Sequence, residues 1–267
     1  MKNNADYSKE LDIAKKAAIE IGKIQLEKFR KNLKVIRKDV KEFVSDVDIH
    51  CQQLASKLLS QKFDYPLLSE ETRGFDIEPS DTYWVIDPVD GTHNFIAGVP
   101  NFGVSIGLVS KNDFVMGVIF LPFFEELFYA IKGKGAFLND KKIEVSKNDN
   151  LEKSMVTYDN QFYLNKDAFS RYRKLIDRCF TTRIFGSAIY DFGLITSGRI
   201  DARIWNNTKI FDFAAGTVIV EEAGGKVTDF EGNKITPKSK QIIASNGRIH
   251  DALIKIFKNN KTEVDKI

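Results

Sequence analysis

Two carboxylates three residues apart, Asp87 and Asp90, dominate the segment Trp84-Val85-Ile86-Asp87-Pro88-Val89-Asp90-Gly91-Thr92-His93-Asn94-Phe95. A hydroxyl, Thr92, follows them at once. A third acid, Asp212, lies in the run Phe211-Asp212-Phe213-Ala214-Ala215-Gly216, and a fourth, Glu70, lies in Ser69-Glu70-Glu71, at the end of the short apolar segment 65–68. Hard divalent cations take oxygen ligands of this kind, and Mg²⁺ typically uses one or two carboxylates together with substrate phosphate oxygens. Each piece also has an ordinary explanation. Asp-Gly is a common turn dipeptide, and an acid in the first turn of a helix is favoured by the helix dipole.

The elements that must position these groups follow from apolar periodicity. Residues 83–86 read as a buried strand that stops at Asp87, with Pro88 as its breaker and Asp90-Gly91 as a turn. Residues 6–30 read as an amphipathic helix, with Leu11, Ala14, Ala18, Ile21 and Phe29 near one face. Residues 46–61 read as a second helix, carrying Asp46 and Asp48 in its first turn. Residues 65–68 read as a short strand. Residues 102–109, 113–121, 126–130 and 136–138 read as strands joined by Lys111-Asn112 and Asn139-Asp140 turns, with 143–145 continuing the sheet. Beyond a polar joint at 147–150, strands at 155–158, 183–185, 200–205 and 241–244 alternate with helices at 166–178, 187–196, 211–223 and 249–257. Lobes of 1–148 and 149–267 are expected. The small residues after Asp212 are expected to pack against the Asp90 turn.

Composition bounds the partners. The 267 residues carry 40 basic and 37 acidic side chains, a net charge of +3, too balanced to argue for nucleic acid. The longest mostly apolar run, 114–124, contains Pro122 and is too short to span a bilayer. Residues 1–12 lack the apolar stretch of a signal peptide. Cys51 and Cys179 read as reduced thiols of a cytoplasmic protein. The basic segment 31–41 reads as a solvated surface stretch or as a flap over an anionic substrate. His93, His50 and His250 offer no arrangement for nucleophilic chemistry, and His50 and His250 look like surface or helix-start residues. Trp205 and the phenylalanines read as core or pocket wall.

Together, Glu70-Glu71, Asp87-Pro88-Val89-Asp90-Gly91-Thr92, Asp212 with Ala214-Ala215-Gly216, and Glu222-Ala223-Gly224-Gly225 resemble the inositol monophosphatase family over roughly residues 8–258. The family comprises Mg²⁺-dependent, lithium-sensitive phosphatases, with archaeal-type fructose-1,6-bisphosphatases and nucleotide 3′-phosphatases among its relatives. The resemblance implies an α/β (α+β) fold layered αβαβα, with the metals between the lobes. It implies that Glu70, Asp87 and the Val89 carbonyl hold one Mg²⁺, that Asp87, Asp90 and Asp212 hold a second, and that Glu70 reaches a weaker third. Mn²⁺ is expected to substitute. Thr92 and Asp48 match the pair that orients and activates the attacking water, with Glu70 assisting. Asp90, Gly91, Thr92, Gly186, Ser187, Ala188 and Asp212 match substrate-contacting positions. A homodimer and a small-molecule phosphate ester as substrate are also implied.

The charges make this assignment physically coherent. Four carboxylates in one place repel one another unless cations enter. Two metals roughly 4 Å apart can hold both attacking and leaving oxygens of an in-line displacement, and they make a bound water more acidic. Backbone N–H groups after Asp90 and after Gly186 are expected to suit phosphate oxygens. One departure stands out. Animal members carry an inositol-binding carboxylate seven residues before the last metal-binding Asp, and Trp205 occupies that position here. A sugar- or inositol-phosphate monoesterase of broad range is the favoured reading, and fructose-1,6-bisphosphate and 3′-phosphoadenosine phosphate are the alternative substrates. Arg183 and Arg203 are candidates for meeting a second phosphate. A regulatory or binding module on the same scaffold is the reading from a different class.

Overall fold

The computed structural model describes residues 6–39, 42–70, 81–164 and 167–258. The chain begins with α1 (Ser8–Lys28), the antiparallel hairpin β1 (Val35–Asp39) and β2 (Glu42–Ser45), and α2 (Asp46–Ser60). Then come β3 (Leu67–Ser69), β4 (Thr82–Asp90), the short α3 (Thr92–Ala97), β5 (Gly103–Ser110), β6 (Asp113–Leu121), β7 (Glu126–Ile131), β8 (Ala136–Leu138) and β9 (Lys141–Lys142). The second half runs β10 (Met155–Tyr158), α4 (Ala168–Ile176), β11 (Thr181–Arg183), α5 (Ala188–Thr196), β12 (Ala202–Trp205), α6 (Ile210–Glu222), β13 (Lys226–Thr228), β14 (Ile242–Ser245) and α7 (His250–Phe257).

Strands β3 to β9 form a seven-stranded sheet in sequence order, antiparallel except for the parallel pair β3–β4. Strands β11-β10-β12-β14-β13 form a second sheet, in which β10 runs parallel to both β11 and β12. The period of two along each strand sorts the apolar side chains between layers. Trp84, Ile86, Val104, Ile106 and Val118 face α1 and α2, whose Ala14, Ala18, Ile21, Ala55 and Leu59 complete that core. Tyr83, Val85, Val109 and Ile119 face the other way, onto Ile189 and Phe192 of α5 and Phe213 and Val218 of α6. On the second sheet, Trp205 and Ala244 face that same helical layer, while Val156, Ile204 and Ile243 face Leu175 of α4 and Leu253 and Phe257 of α7. The layers are therefore αβαβα. Helix α6 lies between two sheets and is buried all round from Phe213 to Val220, as a helix apolar on every face should be.

Several boundaries depart from the sequence reading. Strand β4 does not stop at Asp87. It continues through Pro88 to Asp90, because a register shift there lets three residue steps from Asp87 to Asp90 oppose two from Ser105 to Gly103. A bulge tolerates the missing proline N–H. Strand β11 lies two residues before the expected 183–185. The basic segment is not only a flap: Val35–Asp39 pairs with Glu42–Ser45. Within that segment, Val40 and Lys41 lie outside the described residues, as does Glu71. The small residues after Asp212 pack on the sheet and not on the Asp90 turn. A Cβ at Gly117 of β6 would lie 2.3 Å from the Ala215 carbonyl, and one at Gly107 of β5 would lie 3.0 Å from the Ala214 Cβ. Buried His250 is also not a surface residue.

Candidate active site

The β4 bulge is the centre of the site. In an unbroken strand, residues i and i+3 point to opposite faces. The extra residue at 88–89 returns Asp87 and Asp90 to one face. The bulge leaves the Pro88 carbonyl outside the ladder, and Gln25, buried in α1, donates its Nε2–H groups to Pro88 O at 2.8 Å and to Gly103 O at 3.1 Å. After Asp90, Gly91 turns the chain at φ +83°, and a Cβ there would meet Asn101 O at 2.6 Å. That glycine delivers Thr92 to the start of α3.

Two further helices bring their N-termini to the same place. Ser187 caps α5, accepting the Tyr190 N–H at 3.2 Å and donating its hydroxyl to Asp90, which also accepts the Ala188 N–H at 3.1 Å. The Ala188 amide, expected to be available to an anion, is thus engaged by Asp90. Asn94 holds this loop, donating to Phe185 O at 2.7 Å and Asn101 O at 2.9 Å. Helix α6 contributes Asp212, which accepts the Thr208 hydroxyl and the Lys209 N–H, each at 2.8 Å. Single oxygens of Asp87, Asp90 and Asp212 all lie within 4.8 Å of one another. Asp87 is 3% and Asp90 5% exposed.

Glu70, at the end of β3, stands on the wall of the same cleft, with Oε1 3.8 Å from the Lys209 Nζ. The Val89 carbonyl accepts the Thr92 hydroxyl at 2.9 Å, and Thr92 Oγ1 lies 3.0 Å from Asp48 Oδ1. Asp48 is fixed in the first turn of α2 by the Ser45 N–H and hydroxyl, at 2.8 and 2.5 Å. The structure therefore gathers Glu70, Asp87, Val89, Asp90, Gly91, Thr92, Gly186, Ser187, Ala188 and Asp212 around one cleft of about 470 Å³, with Asp48 behind Thr92. It does not bring Arg183 there. That side chain is exposed and bonds Thr181 and Thr182. Arg203 lines the cleft but is buried, pairs with Asp191 of α5 and stacks over Trp205 at 4.6 Å.

Burial and mutual repulsion act together on the acids. Asp87 is pushed well above the usual carboxylate range by burial and then by Glu70, Asp90 and Asp212. Asp90 is raised to about 6 by burial and Asp212, against the Ser187 bond and Arg203. Asp212 is raised by burial, against bonds from Lys209 and Thr208. Carboxylates held this close and this dry either keep protons or take up a compensating cation. Arg203, paired with Asp191, and Lys209, 3.8 Å from Glu70, offset only part of this charge at Asp90 and Asp212. The donor set is all oxygen, which suits Mg²⁺ or Mn²⁺.

Gln25, Thr208 and the Ser187 hydroxyl's role on Asp90 were not foreseen from sequence. Gln25 left one trace, a polar residue on the apolar stripe of α1 four residues after Ile21.

The model of the inositol monophosphatase family matches residues 6–262. This chain belongs to the inositol monophosphatase family. It is 36% identical over 225 residues to a fructose-1,6-bisphosphatase/inositol-1-monophosphatase of Thermotoga maritima, covering 84% of this chain and 86% of that one. It is 34% identical to inositol monophosphatase 3 of Solanum lycopersicum, covering 96% and 98%. Among solved structures, the extragenic suppressor protein SuhB of Bartonella henselae superposes with a TM-score of 0.89 at 33% identity, covering 95% of this chain and all of that one. An inositol monophosphatase of Thermotoga maritima superposes at 0.85 with 32% identity, covering 93% and 96%. The family gives the chain its class, a phosphoric monoester hydrolase.

Proposed function

We propose that this phosphatase is Mg²⁺-dependent and hydrolyses an inositol phosphate or a related sugar phosphate monoester. The observation that carries the reading is the convergence of Asp87, Asp90 and Asp212 from two distant segments of the chain onto one cleft. Glu70, Asp87 and the Val89 carbonyl would hold one ion, Asp87, Asp90 and Asp212 a second, and Glu70 would reach a third, with Mn²⁺ able to replace Mg²⁺. When bound, the metal supplies positive charge for phosphate oxygens and a more acidic water.

The chain's own groups do the rest. Thr92 has a single hydroxyl hydrogen and two acceptors for it, Val89 O and Asp48 Oδ1. Directed at Asp48, it turns the Thr92 lone pairs toward a water in the cleft. Burial raises Asp48, against its bonds from Ser45 and Thr92, which makes it a better proton acceptor. Glu70, on the wall of the same cleft, would help to orient that water. Gly91, Thr92, Gly186, Ser187 and Ala188 would line the bound ester, with Asp90 and Asp212 beside the phosphate. Lithium inhibition, a homodimer and a cytoplasmic location belong to the same reading. The last fits two unpaired cysteines, one buried and one half-buried.

Fructose-1,6-bisphosphate ranks second as substrate, because the Thermotoga maritima relative carries both activities in its name. Arg203, spent on Asp191, offers little to a second phosphate.

The test measures phosphate released from inositol 1-phosphate, fructose-1,6-bisphosphate, histidinol phosphate and 3′-phosphoadenosine phosphate with Mg²⁺ and with chelator. Inositol 1-phosphate should be hydrolysed only with Mg²⁺, and Asp90→Asn and Asp212→Asn should each lower the rate at least ~10³-fold with the fold intact. Unchanged turnover in either variant refutes the site. No release from any ester would favour the binding-module reading.

A further inference from the structure

The three parallel strands of the second sheet end at the cleft. Beyond the carboxyl ends of β10, β11 and β12 lie Asp159 to Gln161, Gly186-Ser187 and Asn207-Thr208, all lining it. Ligands in α/β sheets bind beyond the carboxyl ends of such strands. Asp159 is not one of the three clustered carboxylates Asp87, Asp90 and Asp212, but it lines the same cleft, and the charge of buried Arg203 reaches it as well as Asp90 and Asp212.

Asp159 is 4% exposed yet lines the cleft. Its Oδ2 accepts the Asn206 N–H and, at 3.5 Å, the Asn206 side-chain amide, while its Oδ1 accepts the Gln161 N–H at 3.2 Å. An ionised carboxylate accepts about four hydrogen bonds, so Oδ1 keeps acceptor capacity. A second acceptor stands on the same wall. Gln161 Oε1 is buried with no hydrogen-bond partner among the described residues, a costly state for a polar atom. Two acceptors two residues apart in one loop suit a ligand rich in O–H donors. The end of β12 offers no acceptor side chain at Trp205, which is 2% exposed, stacked on Phe192 and under the Arg203 guanidinium.

We propose that Asp159, with Gln161 beside it, is the residue that recognises hydroxyl groups of the polyol leaving group. It supplies from the end of β10 the acceptor that β12 does not. The inference rests on the phosphomonoesterase reading above. The carboxylate binds and selects; it takes no part in breaking the P–O bond.

The test compares Asp159→Asn with the unchanged enzyme on two esters in Mg²⁺: inositol 1-phosphate, with hydroxyls around the ester, and propyl phosphate, with none. A lost hydrogen bond to a charged acceptor should raise KM for inositol 1-phosphate about 10- to 100-fold. KM for propyl phosphate and kcat for both should stay within about twofold. Gln161→Leu should shift KM in the same substrate-selective way by a smaller factor. An equal loss on both esters would show that Asp159 only holds the 206–208 loop, and no loss on either would show that it meets no substrate. Either result overturns the proposal while leaving the phosphatase reading in place. Failure of the unchanged enzyme to release phosphate from these two esters and from the sugar phosphates of the panel above overturns both.

Discussion

Ser245 and Thr228 close on the two ring nitrogens of His250, each at 2.8 Å. Thr228 donates its single hydroxyl hydrogen to Asp229 O at 2.7 Å, so the ring must carry its proton on Nε2 and accept the Ser245 hydroxyl at Nδ1. A neutral ring satisfies every partner, and a second proton would require the Ser245 hydroxyl to rotate away from Nδ1 and accept instead. Burial, with Lys226 nearby and against Asp251, lowers this histidine to about 4 from 6.5. The unfolded chain then binds a proton that the native state refuses, so stability falls as pH drops from about 6.5 toward about 4. The full effect is on the order of 3 kcal/mol. Urea unfolding between pH 7 and 4.5 should show this slope, and His250→Gln, less stable at pH 7, should lose it. The cleft acids change stability with the opposite sign in this range, so the comparison is between the two proteins with Mg²⁺ present. Identical slopes would contradict the argument. Of the two sequence expectations, helix start holds, since His250 opens α7, and surface exposure fails, because burial depends on β13 and β14 folding over the ring and nothing near position 250 records that.

At the scale of elements, the site depends on a bulge and on the helix that supports it. Short-range pattern revealed the acids, since Asp87, Asp90 and Thr92 lie within six residues. It did not reveal the bulge, because Pro88 reads locally as a strand breaker and its compensation comes from Gln25, 63 residues away. Helices α1, α2 and α6 and strands β5 to β8 were legible because one face or both faces are continuously apolar. The hairpin β1–β2 was not, because its lysines masked a strand pattern, and β13 is only three residues long. The role given to Gln25 is checked by Gln25→Leu. Loss of both donors leaves Pro88 O and Gly103 O unmatched, and burying an unpaired carbonyl costs ~1–3 kcal/mol. Removing the unpaired Gln25 Oε1 offsets part of that, so a net loss of about 1–2 kcal/mol in denaturant unfolding is expected. The half-saturating Mg²⁺ concentration for phosphate release should rise by several fold, since the bulge sets the Asp87–Asp90 geometry. Lost stability with unchanged Mg²⁺ dependence would mean that the amide supports the core and not the site.

For the whole molecule, the layered architecture stores electrostatic tension at one point. Helix α6 is pressed against the seven-stranded sheet through Gly107 and Gly117, and this close approach carries Asp212 to the acids of β4. On the proposed Mg²⁺ reading, the metal-free fold is held against repulsion among its own carboxylates, and bound ions would relieve it. Mg²⁺ at about 100 times its dissociation constant should therefore stabilise the protein by ~2.7 kcal/mol, a rise in Tm of roughly 5–10 °C. Because Asp90 binds a proton near pH 6 in the metal-free state, protons compete with the ion, and the Mg²⁺-induced shift should shrink as pH falls through about 6. Asp212→Asn separates tension from simple ligation. Removing one charge should make the metal-free variant melt above the metal-free wild type while abolishing most of its response to Mg²⁺. Thermal melts of both proteins with Mg²⁺ and with chelator distinguish the cases. A metal-free variant that melts lower would show that Asp212 is not a net source of strain, and one that still gains the full shift would show that it is not a ligand.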